Sequence, residues 1–572
     1  MSATLPRSED LPGPRSTRLE GIDAALSDLS QARGRLARAS SRERRDWLAE
    51  CADGVASVAR DWVADACRAK RIPHGSAMAA EEVATGPLSV LRGLHLARTA
   101  LADIERHGVP RLPGTVHEGP SGRLRVPLLP ARGLYDGVLF KGFRAEAWTS
   151  PGVRRESIHG DRVAAMASPA DRSKIALVLG AGNVSAIPAT DTLDKLAHEG
   201  KLVLLKMNPV NEYLGPHLER ALRPLIDRGL LRIVYGGADV GAYCANHAEV
   251  DEVHITGSTA AHEAIVWGPA GQARDERRAL GQPLLRKPIT SELGNITPWI
   301  VVPGPYTREQ LAFQAENVAA MIAHNASFNC VALRLIVTWR DWPKRGEFLD
   351  LVDAALARVP PRAAYYPGAI ERFRRFAPDI RIGDDGRLPW TIVRDVSRER
   401  DPRFFTEEAF ACVTGETALA AASPESFLDA AVEFVNHQVW GTLAAGLMVH
   451  DGFRRAAGNE ARLTRAVANL RYGTVGINHW PALGYALMNA PWGGYPGGTL
   501  EDPQSGIGWV HNPLAIDQVE KSVIEGPLTL WPKPFWFPSH RHAFRLAEGV
   551  VDLYHRPRWW KLGRLALSAA RG

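Results

Sequence analysis

The stretch KIALVLGAGNVSAIPATDTLDKLAHEGKLVLLK, residues 174–206, decides the fold class. Ile175 to Leu179 is a short, wholly apolar run of strand length, and Gly180-Ala181-Gly182 is a tight turn. Ala189 to His198 then reads as a helix and Leu202 to Leu205 as a second buried strand. The alternation continues with a helix over Leu214 to Asp227, a strand over Arg232 to Tyr235, a helix over Val240 to His247 and a strand over Glu252 to Ile255. Strands alternating with helices predict a parallel, doubly wound α/β sheet.

Upstream, roughly the first 110 residues read as mainly helical. Ser40-Ser41-Arg42-Glu43 is a capping box, and Trp47, Cys51, Val55, Val58 and Trp62 follow it at helical spacing. Between these helices and the sheet, Val153 to Ala170 carries a Gly160-Asp161 turn signal that predicts a hairpin standing off the domain.

Length and composition bound the function. A chain of 572 residues exceeds what one hydrophobic core usually serves, so two or more lobes are expected. No stretch approaches the roughly 18 to 20 uncharged apolar residues of a membrane span, and Met1 to Arg18 is polar, so a cytoplasmic protein is expected. The five cysteines are odd in number, scattered and never in a CxxC pair, which argues for free thiols and against a disulfide framework or metal site. The net charge of +6 resides in the tail beyond Gly526, which holds eight basic and two acidic residues. The remainder is near neutral, which speaks against nucleic-acid binding.

A series of motifs in one order carries the chemistry: Asn183 after the first strand, Lys206 after the second, Gly257-Ser258-Thr259 after the fourth, then Ser291-Glu292-Leu293-Gly294, Cys330, Glu408-Ala409-Phe410 and Pro491-Trp492-Gly493-Gly494-Tyr495. From about Leu19 to Pro527 this series resembles the aldehyde dehydrogenase superfamily. The resemblance implies a doubly wound cofactor domain, an α/β catalytic domain and a small oligomerisation hairpin. It divides the chain into a disordered start (1–18), a helical part of the cofactor domain (19–150), the hairpin (151–172), the dinucleotide-binding segment (173–288), the catalytic domain (289–500), a return segment (501–526) and an aromatic, basic extension (527–572). It also implies a homodimer or homotetramer.

In that family Cys330 corresponds to the nucleophile, Glu292 to the general base that activates the hydrolytic water, and Asn183 to the amide of the oxyanion site. Lys206, Gly257, Ser258, Glu408 and Phe410 correspond to the binding site for NAD or NADP. The ordinary alternatives are a buried free thiol, a capping glutamate and a turn asparagine. The chain departs from the pattern at Gly182, Pro209, His262, Asn295 and Ala411-Cys412, and Arg334 falls one residue early; the charged segment from Thr259 to Glu292 is longer than usual. The loss of an acidic residue at Pro209 leaves NAD and NADP both open. The resemblance thus implies oxidation of an aldehyde to an acid; an acylating enzyme that releases its thioester to coenzyme A and a non-catalytic binding protein are the alternatives. In the tail, Trp531, Phe535, Trp536, Phe537, Tyr554, Trp559 and Trp560 interleave with basic residues, which suits either peripheral contact with a lipid surface or docking against the enzyme.

Overall fold

Ile175–Leu179, Leu202–Lys206, Leu231–Val234, Glu252–Thr256 and Ile289–Glu292 pair in parallel in a computed structural model that describes residues 13–167 and 174–572. Gly506–Ile507 closes one edge of this sheet antiparallel to Glu292 and Ser291. The apolar runs form strands because both faces are covered by helices, so every side chain of Ile175–Leu179 and Leu202–Lys206 is buried. The helix expected over Leu214 to Asp227 is broken at Leu222 into Gly215–Ala221 and Arg223–Asp227; Pro224, which cannot donate a backbone hydrogen bond, opens the second piece. Ser40 caps the long helix Ser41–Ala69, and Glu43 returns the bond to the Ser40 N–H.

Among the described residues a second sheet has ten strands. Seven run parallel, in the order Val519–Glu525, Thr474–Ile477, Ala444–Met448, Thr297–Val301, Leu333–Trp339, Val413–Leu419 and Thr391–Val393. Arg144–Thr149, Leu124–Pro127 and His117–Glu118 continue it antiparallel from Val519–Glu525. The antiparallel strands therefore pair within the chain and end on a two-residue, exposed, charged edge of the kind that discourages pairing with another chain.

Two expectations change. Gly13 to Arg18 do not belong to a disordered start: the Thr17 N–H donates to the Tyr235 carbonyl at 3.0 Å and Thr17 Oγ1 accepts from the Tyr235 N–H at 3.0 Å. Residues 1–12 lie outside the described residues. No hairpin forms over 151–167; the chain makes a 3-10 turn at Arg155–Ser157 and a helix at Arg162–Ala167. Gly160 does take a positive φ of 48°, but its turn packs against Asp517, whose N–H donates to the Ile158 carbonyl, so the turn docks on the body instead of reversing a strand. Residues 168–172 of the expected hairpin lie outside the described residues. The return segment 501–526 supplies strands to both sheets.

The tail folds back on the enzyme. Phe537 is buried against Phe313, and the helix Ala543–His555 buries Leu546, Ala547, Val550, Leu553 and Tyr554 among the N-terminal helices. The helix Lys561–Ala570 packs on Ala543–His555, with Leu565 against Gly549. Trp531, Trp559 and Trp560 remain exposed at 79%, 72% and 58%. Among the described residues no helix is long and apolar enough to cross a membrane.

A buried arginine pins the tail. Arg92 makes a bidentate pair with Asp136 at 2.7 Å and donates to the Tyr554 hydroxyl at 2.9 Å. Tyr554→Phe would leave a buried guanidinium N–H without its acceptor. A loss of about 1–3 kcal/mol in urea unfolding is expected; an unchanged midpoint would show that the tail is not held through this bond.

Candidate active site

The helix Arg308–Ala323 ends at His324, after which Asn325, Ala326 and Ser327 all adopt left-handed backbone, with φ of 53°, 53° and 69°. Such a conformation is unfavourable for L-residues by about 1–2 kcal/mol each, so the surrounding contacts must hold it. The kink presents Cys330, half-buried, to a cavity before the chain enters the strand Leu333–Trp339.

Four side chains hold the kink. Asn325 Nδ2 donates to the Asn183 carbonyl at 2.9 Å and to the Phe328 carbonyl at 3.1 Å. Arg334 Nη1 donates to Ser327 Oγ at 2.7 Å and to the Ala411 carbonyl at 2.6 Å, so it ties the cysteine loop to the Glu408-Ala409-Phe410 loop. Lys70, at the end of the first long helix, donates to Glu82 at 2.8 Å, to the Asn183 carbonyl at 3.0 Å and to Asn325 Oδ1 at 2.9 Å. Tyr365 adds a hydroxyl bond to Asn325 Oδ1 at 2.8 Å. Nothing in the sequence singles out Lys70, Asn325 or Tyr365, because the contacts of Lys70 with Asn183 and Asn325 join positions 113 and 255 residues apart.

Asn183 is thereby fixed by both of its ends. Its backbone carbonyl receives the bonds above, and its side-chain Nδ2 donates to the Phe328 carbonyl at 2.9 Å, two residues before Cys330. Glu292, the last residue of its strand, lies in the same cavity as Cys330. Burial lifts its pKa to about 7, the Cys330 thiol and the Trp492 indole oppose the rise, and the neighbouring charges of Asp191 and Glu408 add to it. Among the described residues Glu292 Oε1 is buried and accepts no regular hydrogen bond. Burial also raises the Cys330 thiol well above its ordinary pKa, and the adjacent Glu292 carboxyl reinforces this. The pair therefore rests as a thiol beside a carboxyl poised near neutrality, an arrangement that suits transfer of the thiol proton to the carboxylate.

Of the expected cofactor residues, Lys206, Gly257 and Ser258 lie at the carboxyl ends of strands of the first sheet, and Glu408 and Phe410 lie on the loop before the strand Val413–Leu419 of the second. Lys206 ends its strand, buried, and burial lowers its pKa. Among the described residues its ammonium makes no hydrogen bond, and Glu212 beside it supplies a compensating charge. Ser258 caps the helix Thr259–Trp267 by accepting from the Ala261 N–H. The Gly257 N–H is engaged by the Glu292 carbonyl at 3.0 Å, so the free donors of this helix start lie further along, in its first turn. Glu408 sits against Gly294, where any side chain would overlap its carboxylate. Burial raises the Glu408 pKa to about 7, opposed by Arg334, and among the described residues its Oε1 has no hydrogen-bond partner. Phe410 packs against Phe328 and Tyr366. An orphaned carboxylate oxygen at one end and an unbonded ammonium at the other fit a ligand rich in ribose hydroxyls. Of the departures in sequence, Asn295 is fully engaged, with bonds to Thr297, Ala444, Leu443 and Ser505, and serves the join between the sheets. Among the described residues no group of His, Cys, Asp and Glu side chains is placed to hold a metal ion.

No protein-family model and no curated protein matches the chain. Solved structures do. The aldehyde dehydrogenase KauB from Pseudomonas aeruginosa aligns over 90% of this chain and 91% of its own, with a TM-score of 0.58 and 18% identity. An NAD-dependent aldehyde dehydrogenase from Sinorhizobium meliloti aligns over 90% and 89%, at 0.58 and 17%. The NADP-dependent glyceraldehyde-3-phosphate dehydrogenase from Bacillus halodurans, solved with NADP, aligns over 89% and 92%, at 0.58 and 15%. The chain has the aldehyde dehydrogenase fold.

Removing Lys70 should show how much the loop depends on it. Lys70→Met leaves Glu82 charged and buried, so a loss of about 3–5 kcal/mol in chemical unfolding is expected. The double variant Lys70→Met/Glu82→Gln should recover part of that loss. Equal stability of the single and double variants would mean that the ion pair does not carry the junction.

Proposed function

We propose that this protein oxidises an aldehyde to a carboxylic acid with NAD or NADP, using Cys330 as nucleophile and Glu292 as general base. The observation that carries the reading is the placement of Cys330 beside a carboxyl whose pKa is held at about 7, at the end of a cavity large enough for a substrate. Glu292 takes the thiol proton as Cys330 Sγ attacks the carbonyl carbon, giving a hemithioacetal. The Cys330 backbone N–H and the Asn183 amide, anchored through Phe328, stabilise the oxyanion. Lys206 and Glu408 would hold the ribose hydroxyls of the dinucleotide, and the first turn of Thr259–Trp267, capped by Ser258, its diphosphate. Bound nicotinamide dinucleotide supplies the hydride acceptor that turns the hemithioacetal into a thioester. Glu292 releases the thiol proton to solvent, then deprotonates a water that attacks the thioester, which frees the acid, and it returns the water proton to the departing Cys330 thiolate. Retention of a buried carboxyl beside the thiol favours water over coenzyme A as the acceptor.

Four results test this. Cys330→Ala should abolish reduction of the dinucleotide by any aldehyde while dinucleotide binding persists; wild-type turnover by this variant would sink the mechanism. Glu292→Gln should slow turnover at least about 100-fold, and on long incubation an acyl adduct should build up on Cys330 in intact-mass spectra, because solvent can still take the thiol proton whereas water does not attack the thioester without a base. Coenzyme A that accelerates the wild-type enzyme and appears as acyl-CoA would transfer the reading to the acylating class. Because the base works deprotonated and its pKa is raised, turnover limited by hydrolysis should climb as pH rises through about 7 and level off above it.

The exposed tryptophans support a finer proposal, peripheral contact with an anionic membrane. Trp531, Trp559 and Trp560 stand in solvent, and Arg558, Lys561 and Arg564 lie beside the latter two. Rings at headgroup depth and basic side chains at about 1 kcal/mol each would suffice for reversible attachment. Full-length protein should co-sediment with phosphatidylserine vesicles at low salt, and Trp559→Ser/Trp560→Ser should weaken this about tenfold. Wild-type protein left in the supernatant would end the membrane reading.

A further inference from the structure

A continuous cavity of about 410 Å³ leads from Cys330 and Glu292 to the C-terminal extension. Leu530, Phe535, Leu546, Val550, Leu565 and Ala569 make one wall, all from the tail, and Leu88, Val138, Leu139 and Phe140 make another. Two other charged groups that reach it are engaged elsewhere, Glu81 with Arg362 and Lys533 with Glu316, and Lys141 is exposed. The walls are built and not accidental. Arg92 bonds Tyr554, which lines the tail wall, and Asp136, which opens the turn carrying Val138 to Phe140, so a single buried guanidinium fixes the spacing of the two sides.

We infer that the C-terminal extension makes this a site for unbranched aliphatic substrates, with the aldehyde at Cys330 and the hydrocarbon chain lying between the tail helices and the 138–143 segment. The inference rests on the aldehyde reading for the reactive end alone. The volume lies within the usual range for ligand pockets, roughly 300–1,000 Å³. Polar partners cluster at the Cys330 end, whereas the walls offer almost none. A sugar or phosphorylated aldehyde would bury hydroxyls or charge without partners along this path. A methylene chain loses nothing there and gains affinity with every carbon removed from water, about fourfold per methylene. Trp531 and Val138, both exposed, mark the rim through which the chain would enter.

The test uses the full-length chain with its dinucleotide and a series of unbranched aldehydes from propanal to tetradecanal. The expected result is a kcat/KM that rises about fourfold per methylene until the cavity is filled and then levels. Ala569→Trp, which adds bulk to the wall without removing any core side chain, should move the optimum to shorter chains. In parallel, calorimetric titration of wild-type protein with dodecanoate and with butanoate reads the chain site independently of turnover, and dodecanoate should bind at least 100-fold more tightly. A flat chain-length profile together with equal binding of the two acids would overturn the inference while leaving aldehyde oxidation standing. Tight dodecanoate binding without turnover of any aldehyde would uphold the chain site and overturn the aldehyde reading.

Discussion

The ammonium of Lys70 is the contact on which the site depends. It is buried at the end of a helix that belongs to neither sheet, and it joins Glu82, the carbonyl of Asn183 and the side chain of Asn325. These groups come from three parts of the chain: the N-terminal helices, the turn after the strand Ile175–Leu179 and the loop that carries Cys330. A charge in so apolar a setting tolerates only an arrangement in which its donors are satisfied. The requirement therefore fixes the relative placement of the thiol and the Asn183 amide, and it holds three consecutive residues in left-handed backbone.

The electrostatics of the site follow from burial. Glu292 and Glu408 both have pKa values near 7 because each loses water without gaining a full set of donors. Folded pKa values above the unfolded value of about 4.5 mean that the native state binds the extra protons. These two groups favour folding below that value, and the contribution is lost as pH rises through about 7. Their contribution to stability thus falls over the same interval in which the two carboxyls ionise.

The C-terminal extension has two roles. Its first helix completes the core around the N-terminal helices, and its inner face becomes the wall of the cavity that reaches Cys330. A segment that could pass for an appendage is therefore structural, and its exposed face carries Trp531, Trp559, Trp560 and Leu567 among basic residues.

The first sheet was legible in residues 174–255 because strands buried on both faces must be apolar throughout and the crossovers must be helical, a constraint that is local in sequence. The same holds for the capping box at Ser40 and Glu43, whereas Cys330, Glu292 and Asn183 were named only through the family resemblance of an ordered series of motifs. The turn at Gly160 was legible as a turn but not as part of a hairpin, because φ at one glycine does not say what the flanking chain will pack against; Asp517, more than 350 residues away, decided that. The union of Lys70 with Asn325 spans 255 positions, and the contact of Arg92 with Tyr554 spans 462. By itself the sequence determined which segments become strands and helices and which residue types are equipped for thiol chemistry. Only the tertiary structure decided which of them meet, how far Glu292 is dehydrated and where the tail lies, since pairing of buried polar groups depends on the whole packed interior and leaves no periodic trace along the chain.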